Sequence, residues 1–239
     1  MRRTLILAGV VALAGFAAPV LAQDGPTLAT RLKATLEEFH DRYAFPGATA
    51  AIALPDGTVV TASVGLADVE NARPMTPDTP MLAASIGKTF VAATVLALES
   101  DGLLSRADLV SVHLGDRPWF DTLPNAGTMT IGQLLHHTAG IPDHVHMHAF
   151  QEAWGDLATR EDGFKPQDLL RLISGLDPLF KPGTAWAYSD TGYVLLALVI
   201  EAVTGQPWQG AVGSRFLGPL GLTETIPSDR PDLPGLAVG

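Results

Sequence analysis

The pattern of apolar and polar residues changes period several times along the chain. Apolar residues first recur at helical spacing, with charged residues between them, at Leu28, Leu32, Leu36, Phe39 and Tyr43. This spacing predicts an amphipathic helix over residues 28–43. Two strand-like apolar runs follow, at residues 48–54 and 58–65, and Pro55-Asp56-Gly57 separates them. They predict a β-hairpin with its turn at that tripeptide.

The rest of the chain is mostly helical in pattern. Residues 71–80 contain three prolines, so we predict no regular structure there. The helices predicted after this break cover residues 85–100, 131–137 with Thr130 as N-cap, 167–174, 192–204 and 207–216. We find no internal repeat and no flexible linker, and therefore predict one domain.

Composition narrows the class of protein. The 239 residues are 47% hydrophobic and 17% charged, as expected for a globular domain. The formal net charge is −10, and the basic residues are scattered along the chain, which argues against a nucleic-acid partner. The absence of cysteine excludes disulfides and thiolate catalysis.

The first residues predict export. Two arginines follow Met1, residues 5–18 are apolar, and small residues precede a plausible cleavage point after Ala22. We interpret residues 1–22 as a signal peptide and residues 23–239 as a mature domain, periplasmic or secreted. The alternative, an uncleaved membrane anchor, is disfavoured because the uncharged stretch is only about as long as the minimum span and contains Pro19.

Ser85 and Lys88 are the first candidates for chemistry. They stand three residues apart at the start of a predicted helix, so their side chains share one face. A serine becomes a nucleophile when a neighbouring base removes its proton, and the positive end of the helix and burial would both lower the pKa of Lys88. Free N–H groups at the helix start could hold an oxyanion. Without further context, an N-capping serine and a solvated lysine explain the same four residues.

Two further segments supply that context: Leu134-Leu135-His136-His137-Thr138-Ala139-Gly140, and the run from Pro182 to Tyr193 that contains Tyr188-Ser189-Asp190. With Ser85-Ile86-Gly87-Lys88, and in this order, they resemble the serine β-lactamase and penicillin-binding protein superfamily, in its branch of class C β-lactamases, D-alanyl-D-alanine carboxypeptidases and esterases. The resemblance implies an α/β (α+β) fold, with an antiparallel sheet flanked by helices and a helical lobe.

The resemblance also implies roles. Ser85 would be the acylated nucleophile, Lys88 its basic partner, and Tyr188 the phenol that moves protons between nucleophile and leaving group. A tyrosine needs an adjacent cation to exchange its proton readily, and Lys88 would be that cation. The segment around His136, His137 and Thr138 would be structural. No metal or organic cofactor is implied.

Asp190 departs from the family pattern, which usually has asparagine at this substrate-binding position. A carboxylate only accepts hydrogen bonds, and beside Lys88 it would raise the lysine pKa. We therefore predict that Asp190 pairs with Lys88 or Ser85, and that ester-like substrates are preferred to penicillins.

The family's third signature, Lys-Thr-Gly or His-x-Gly on a strand of the sheet, normally lies well beyond the tyrosine segment, and no match occurs between that segment and Gly239. The expectation is a C-terminally incomplete domain that lacks the later strands. Three substrate classes stay open: β-lactams, peptidoglycan-type peptides and small esters. The main alternative is a non-catalytic ligand-binding protein or inactive fragment. The sequence does not determine the oligomeric state.

A second alternative is a metal-binding protein. His144, His146 and His148 alternate along the chain, and on an extended segment they would point the same way. Histidines of a surface loop are the simpler explanation, and we predict no metal site.

Overall fold

The computed structural model describes residues 26–155, 163–228 and 233–238. The chain forms two compact units, which divide after Pro77. The predicted signal peptide, residues 1–22, lies outside the described residues. The assignment of residues 23–239 to one domain remains a prediction.

The regular elements are, in order, α1 (Leu28–Tyr43), β1 (Gly47–Ala53), β2 (Val59–Asp68), β3 (Arg73–Pro74), α2 (Gly87–Ser100), α3 (Ser111–Leu114), α4 (Ile131–Leu135), α5 (His148–Gly155), α6 (Pro166–Arg171), α7 (Asp190–Thr204) and α8 (Trp208–Val212). Short 3-10 turns cover Ala84–Ile86, Phe120–Thr122 and His144–His146, and a π-helical turn, Gly213–Leu217, continues α8. None of the helices in these described ranges is long and apolar enough to cross a membrane.

The first unit is the predicted helix and hairpin. β1 and β2 pair antiparallel from Gly47 opposite Gly65 to Ala53 opposite Val59. Between them, the Asp56 carboxylate accepts a hydrogen bond from the Thr58 backbone N–H at 2.9 Å, which fixes the predicted turn. α1 packs against both strands, although none of its side chains is fully buried. The helix and hairpin predictions are confirmed.

A third strand joins this sheet where none was predicted. β3 (Arg73–Pro74) pairs with β2 through Leu66 opposite Pro74, so the sheet order is β1-β2-β3. The prediction that residues 71–80 lack regular structure is wrong at these two positions. A proline is compatible with this strand because an edge strand can turn the side that lacks an N–H donor away from the ladder.

The second unit is helical and is organised around α7. Eight of the fifteen residues of α7 are buried, most of them consecutive apolar residues. A helix that is apolar on all sides belongs inside a core, and α7 packs against α2, α3, α4, α6 and α8. α7 begins at Asp190, so the predicted tyrosine segment lies directly at the N-terminal end of this buried helix.

The beginning and end of α4 position the segment that contains His137 and Gly140. Thr130 and Gln133 form a capping box at its start, as Thr130 predicted. The helix stops at Leu135, two residues earlier than predicted, because His137 has left-handed backbone angles (φ 57°) and donates its N–H to the Leu134 carbonyl. Gly140 is required three residues later, since a Cβ there would lie 2.1 Å from the Phe180 carbonyl oxygen.

The mixed α/β class with a small antiparallel sheet is confirmed, and so are the later helices, with shifted ends. Residues 167–174 are α6, residues 192–204 lie within α7, and residues 207–216 are α8 with its π-helical turn. The helix α5 was not predicted.

Candidate active site

Ser85 and Lys88 lie together, as their spacing predicted. Ser85 is in the 3-10 turn that leads into α2, and the Lys88 ammonium donates to its Oγ at 3.1 Å. The preceding Ala84 has a left-handed backbone (φ 46°), which costs an L-residue about 1–2 kcal/mol. Strain of this kind is held by the surrounding structure, and here it lies in the turn that presents Ser85 at the start of α2.

Tyr188 contacts Ser85, and local sequence spacing could not predict this contact. Its hydroxyl lies 2.8 Å from Ser85 Oγ, although the two residues are 103 positions apart. Lys88 Nζ is 5.1 Å from the centre of the Tyr188 ring and 5.6 Å from that of Tyr193. The structure therefore brings together a hydroxyl nucleophile candidate, a phenol and an ammonium group.

Asp190 also reaches this cluster. Its carboxylate forms a short salt bridge with Lys88, so the predicted pairing is confirmed. Burial alone would lower the pKa of Lys88 and is the largest single influence on it. The hydrogen bonds to Asp190 and Tyr188 and the charge of Asp190 together outweigh burial, so the pKa of Lys88 lies above its ordinary value. The direction of this shift agrees with the effect expected of Asp190, which opposes the lowering expected from the helix start and burial.

Replacing Asp190 by asparagine should lower the pKa of Lys88, because burial then acts without the opposing carboxylate. The pair stabilises the folded chain fully below the ordinary lysine pKa of 10.5, and this contribution is lost as the pH rises through the raised value. An NMR titration of labelled lysines measures the shift; the other lysines are Lys33, Lys165 and Lys181.

The matched control for this titration is Asp143→Asn, which removes a buried carboxylate that has no hydrogen bond to Lys88. It should leave the Lys88 titration in place. An unchanged Lys88 pKa in Asp190→Asn would show that the pair does not set the charge of the lysine.

His137 is the residue that sequence reasoning placed only in a structural segment. Its ring stacks on Tyr188, with centroids 4.4 Å apart and an angle of 28° between the planes. Its Nδ1 accepts a hydrogen bond from the Ser189 N–H at 3.2 Å. Burial and the nearby positive charge of Lys88 lower the pKa of His137 and favour the neutral ring. The only signal in the sequence was its place beside Gly140 in the second motif.

Substituting His137 by asparagine should lower kcat about tenfold, because Tyr188 loses the ring that fixes its plane. Asparagine tolerates the left-handed backbone, so thermal unfolding should change little. Steady-state kinetics with an activated ester measures the effect. The control is His136→Asn, at the exposed neighbouring position, and equal losses in the two variants would contradict a role in positioning.

The histidine cluster does not converge. His144–His146 is a 3-10 turn and α5 begins at His148, so the extended segment that would align the rings is not formed. His144 is buried and bonds Thr191 Oγ1 through its backbone N–H and its ring Nδ1, each at 3.0 Å. The side chains of His146 and His148 are 80% and 87% exposed. Across the ranges that the structure describes, no three histidine, aspartate or glutamate residues form a group that could hold a metal ion.

A cavity of about 580 Å³ opens beside Ser85. Its lining includes Ser85, Lys88 and Asp190, and also the rings of Phe150, Trp154 and Phe164. Two of these rings come from α5, the helix that the sequence pattern did not reveal. A cavity of this size is typical of small-molecule sites.

A comparison with family models matches residues 32–232 to the model described as Beta-lactamase. Among curated proteins, the chain is 34% identical to Penicillin-binding protein 4* of Bacillus subtilis (strain 168), over 68% of this chain and 34% of that protein. It is 32% identical to a Putative D-alanyl-D-alanine carboxypeptidase of Escherichia coli O157:H7, over 65% of this chain and 36% of that protein.

A solved structure of a D-stereospecific amidohydrolase from Streptomyces sp. superposes with a TM-score of 0.69 and 31% identity, covering 80% of this chain and 55% of that one. The chain therefore spans about a third of the length of these curated relatives and about half of that structure.

Proposed function

Since the chain belongs to the beta-lactamase family, we propose that it acts as a serine hydrolase through an acyl-enzyme on Ser85. The observation that carries the proposal is the run of contacts from Tyr188 to Ser85, from Ser85 to Lys88 and from Lys88 to Asp190. A hydroxyl nucleophile within hydrogen-bond reach of a proton acceptor that another group orients is the general arrangement for acyl transfer.

Tyr188 is the proton carrier in this proposal. Lys88 is held charged by Asp190, so it cannot remove the serine proton. Its positive charge instead stabilises the negative charge that the Tyr188 oxygen carries during proton transfer. The Ser85 N–H at the start of the helix supplies an oxyanion donor.

The proposed reaction is an acyl transfer in two stages, acylation of Ser85 and then hydrolysis of the acyl-serine. Ser85 Oγ adds to the substrate carbonyl while its proton passes to the phenolate form of Tyr188, which becomes the neutral phenol. The bond to the leaving group then breaks, and Tyr188 returns the proton to the leaving oxygen or nitrogen. Water attacks the acyl-serine, again giving its proton to Tyr188, and the proton returns to Ser85 Oγ as the acid leaves. The proposed chemistry requires no metal and no organic cofactor.

Small esters are the proposed substrates, ahead of β-lactams and peptidoglycan-type peptides. Asp190 occupies the position where the family usually has an amide; its Oδ1 accepts a hydrogen bond from Lys88, and a carboxylate has no N–H to donate to a substrate carbonyl. An ester carbonyl is more electrophilic than that of a peptide bond, and its leaving group needs less protonation. The related carboxypeptidase and amidohydrolase support carbonyl-directed hydrolysis as the reaction class.

The test is intact mass spectrometry after incubation with a fluorophosphonate, and separately with a penicillin. We expect a single phosphonyl adduct that peptide mapping places on Ser85 and that Ser85→Ala loses. Ser100→Ala, at the other end of the same helix, should retain it. A folded chain that forms no adduct, or an adduct that persists in Ser85→Ala, would overturn the proposal; reversible ligand binding without an adduct would favour the non-catalytic alternative.

Export is part of the proposal. Expression of the whole chain in a Gram-negative host should yield a periplasmic protein whose N-terminal residue is Gln23, because cleavage follows Ala22. N-terminal sequencing of the osmotic-shock fraction measures this. Recovery of a chain that still begins at Met1 would contradict it.

A further inference from the structure

The wall of the cavity beside Ser85 is an aromatic cluster. Phe150 lies with its ring centroid 5.7 Å from that of Trp154 and 5.3 Å from that of Phe164. Trp154 and Phe164 stack with an angle of 11° between their planes. Phe150 is 7% exposed, whereas Trp154 is 55% exposed, so the cluster is anchored in the core and still offers ring surface to the cavity. Rings packed in this way form a rigid apolar surface.

The charges in the lining are already neutralised. Among the described residues that line the cavity, Lys88 and Asp190 carry opposite charges and bind each other. His144, the remaining titratable base of the lining, is buried beside Phe150, and burial lowers its pKa. Its ring Nδ1 is bonded to Thr191. A charged group placed against this wall would lose its hydration without gaining a partner, which is costly.

The cavity also lies on one side of the nucleophile. Ser85 belongs to its lining, but Tyr188, which contacts the same Oγ, does not lie among the described lining residues. In the proposed reaction, Tyr188 returns a proton to the leaving group, so the leaving group departs on the tyrosine side. The group that stays attached to the carbonyl then faces the cavity.

We propose that this cavity selects substrates whose acyl group is bulky, apolar and uncharged, such as an arylalkanoyl ester, and that Phe150, Trp154 and Phe164 form the wall that binds it. The inference rests on the proposed function, since it assigns a substrate class to the same serine. It excludes acyl groups with a free carboxylate or ammonium, which the wall cannot neutralise.

The experiment compares 4-nitrophenyl esters that share one leaving group and differ in the acyl group. Burying an apolar group the size of a phenylalanine side chain contributes about a ten- to hundredfold gain, so the 3-phenylpropionate should exceed the acetate in kcat/KM by on the order of a hundredfold. The butyrate and the hemisuccinate have similar size, and the charged hemisuccinate should be at least about tenfold poorer. Release of nitrophenolate in the first turnover reports acylation, so it measures the preference for the acyl group even where deacylation is slow.

Substitutions of Trp154 test whether the aromatic wall causes the acyl-group preference. Trp154→Ala should lower kcat/KM for the phenylpropionate about tenfold more than kcat/KM for the acetate, whereas Trp154→Phe should keep most of the preference. A preference that survives in Trp154→Ala, or one that follows the leaving group in a series of aryl acetates, would overturn the inference. So would equal rates for acetate and phenylpropionate.

The two proposals fail differently. If the fluorophosphonate labels Ser85 but the ester series shows no preference, the hydrolase proposal stands and the acyl-group inference is wrong. If no ester acylates the folded chain and the fluorophosphonate forms no adduct, both are wrong.

Discussion

Replacing Ser85 by alanine should lower ester turnover by a factor of about 10⁴ to 10⁶, leaving only hydrolysis without a covalent intermediate. The loss is large because Ser85 Oγ is the atom at which the contacts from Tyr188 and Lys88 meet. Without this oxygen, Tyr188 and the charged Lys88 remain close together, but no hydroxyl is left for them to activate. Steady-state kinetics with an activated ester of wild type and variant measures the ratio.

The fold should survive this change. Ser85 is exposed, and no core side chain depends on its hydroxyl. The control is Ser100→Ala on the same helix, which should match wild type in both turnover and thermal unfolding. Turnover in Ser85→Ala within tenfold of wild type would mean that another group acts as the nucleophile or that the reaction needs none.

Replacing Tyr188 by phenylalanine should lower kcat by about a hundredfold to ten-thousandfold, the usual contribution of general acid–base catalysis. The ring keeps its stack on His137, so the change removes only the hydroxyl that lies 2.8 Å from Ser85 Oγ. Asp190 raises the pKa of Lys88 against the effect of burial, so the lysine is a poor substitute for Tyr188 as the acceptor of the serine proton. The pre-steady-state release of nitrophenolate, which reports acylation, should slow by the same factor.

Tyr193→Phe is the matched control for Tyr188→Phe. Tyr193 also presents its ring to Lys88, at 5.6 Å, but its hydroxyl donates to the Leu135 carbonyl at 3.3 Å. Burial raises the pKa of Tyr193, and its hydroxyl has no hydrogen bond to Ser85. Loss of its hydroxyl should affect stability by about 1 kcal/mol and turnover only slightly. Equal kinetic losses in the two variants would refute the role assigned to Tyr188.

Local physical chemistry explains why several elements could be predicted from the sequence. The period of apolar residues determines α1, the Asp56 turn determines the register of β1 and β2, and Thr130 determines where α4 begins. The meeting of Ser85 with Lys88 is of the same kind, since a separation of three residues near a helix start places both side chains on one face. Each of these depends on neighbours within one turn.

The elements that were missed are set by strand pairing and burial. β3 is only Arg73–Pro74, which is too short to show a strand period, and it exists because the nearby β2 offers an edge to pair with. The His144 turn follows from burial of its ring against Thr191, which lies 47 positions away, and this overrides the alternation that suggested aligned histidines. Such a partner is not visible in a short window of sequence.

The sequence by itself determined the chemistry available to this protein: a serine, a lysine, a tyrosine and an aspartate in three motifs whose order indicates the family. Only the tertiary structure decided how they interact. It placed Tyr188 on Ser85 across 103 positions, stacked His137 on Tyr188, and bound Asp190 to Lys88. The physical reason is that a pKa depends on burial and on neighbouring charge, and both are set by the packing of α7 against the rest of the core.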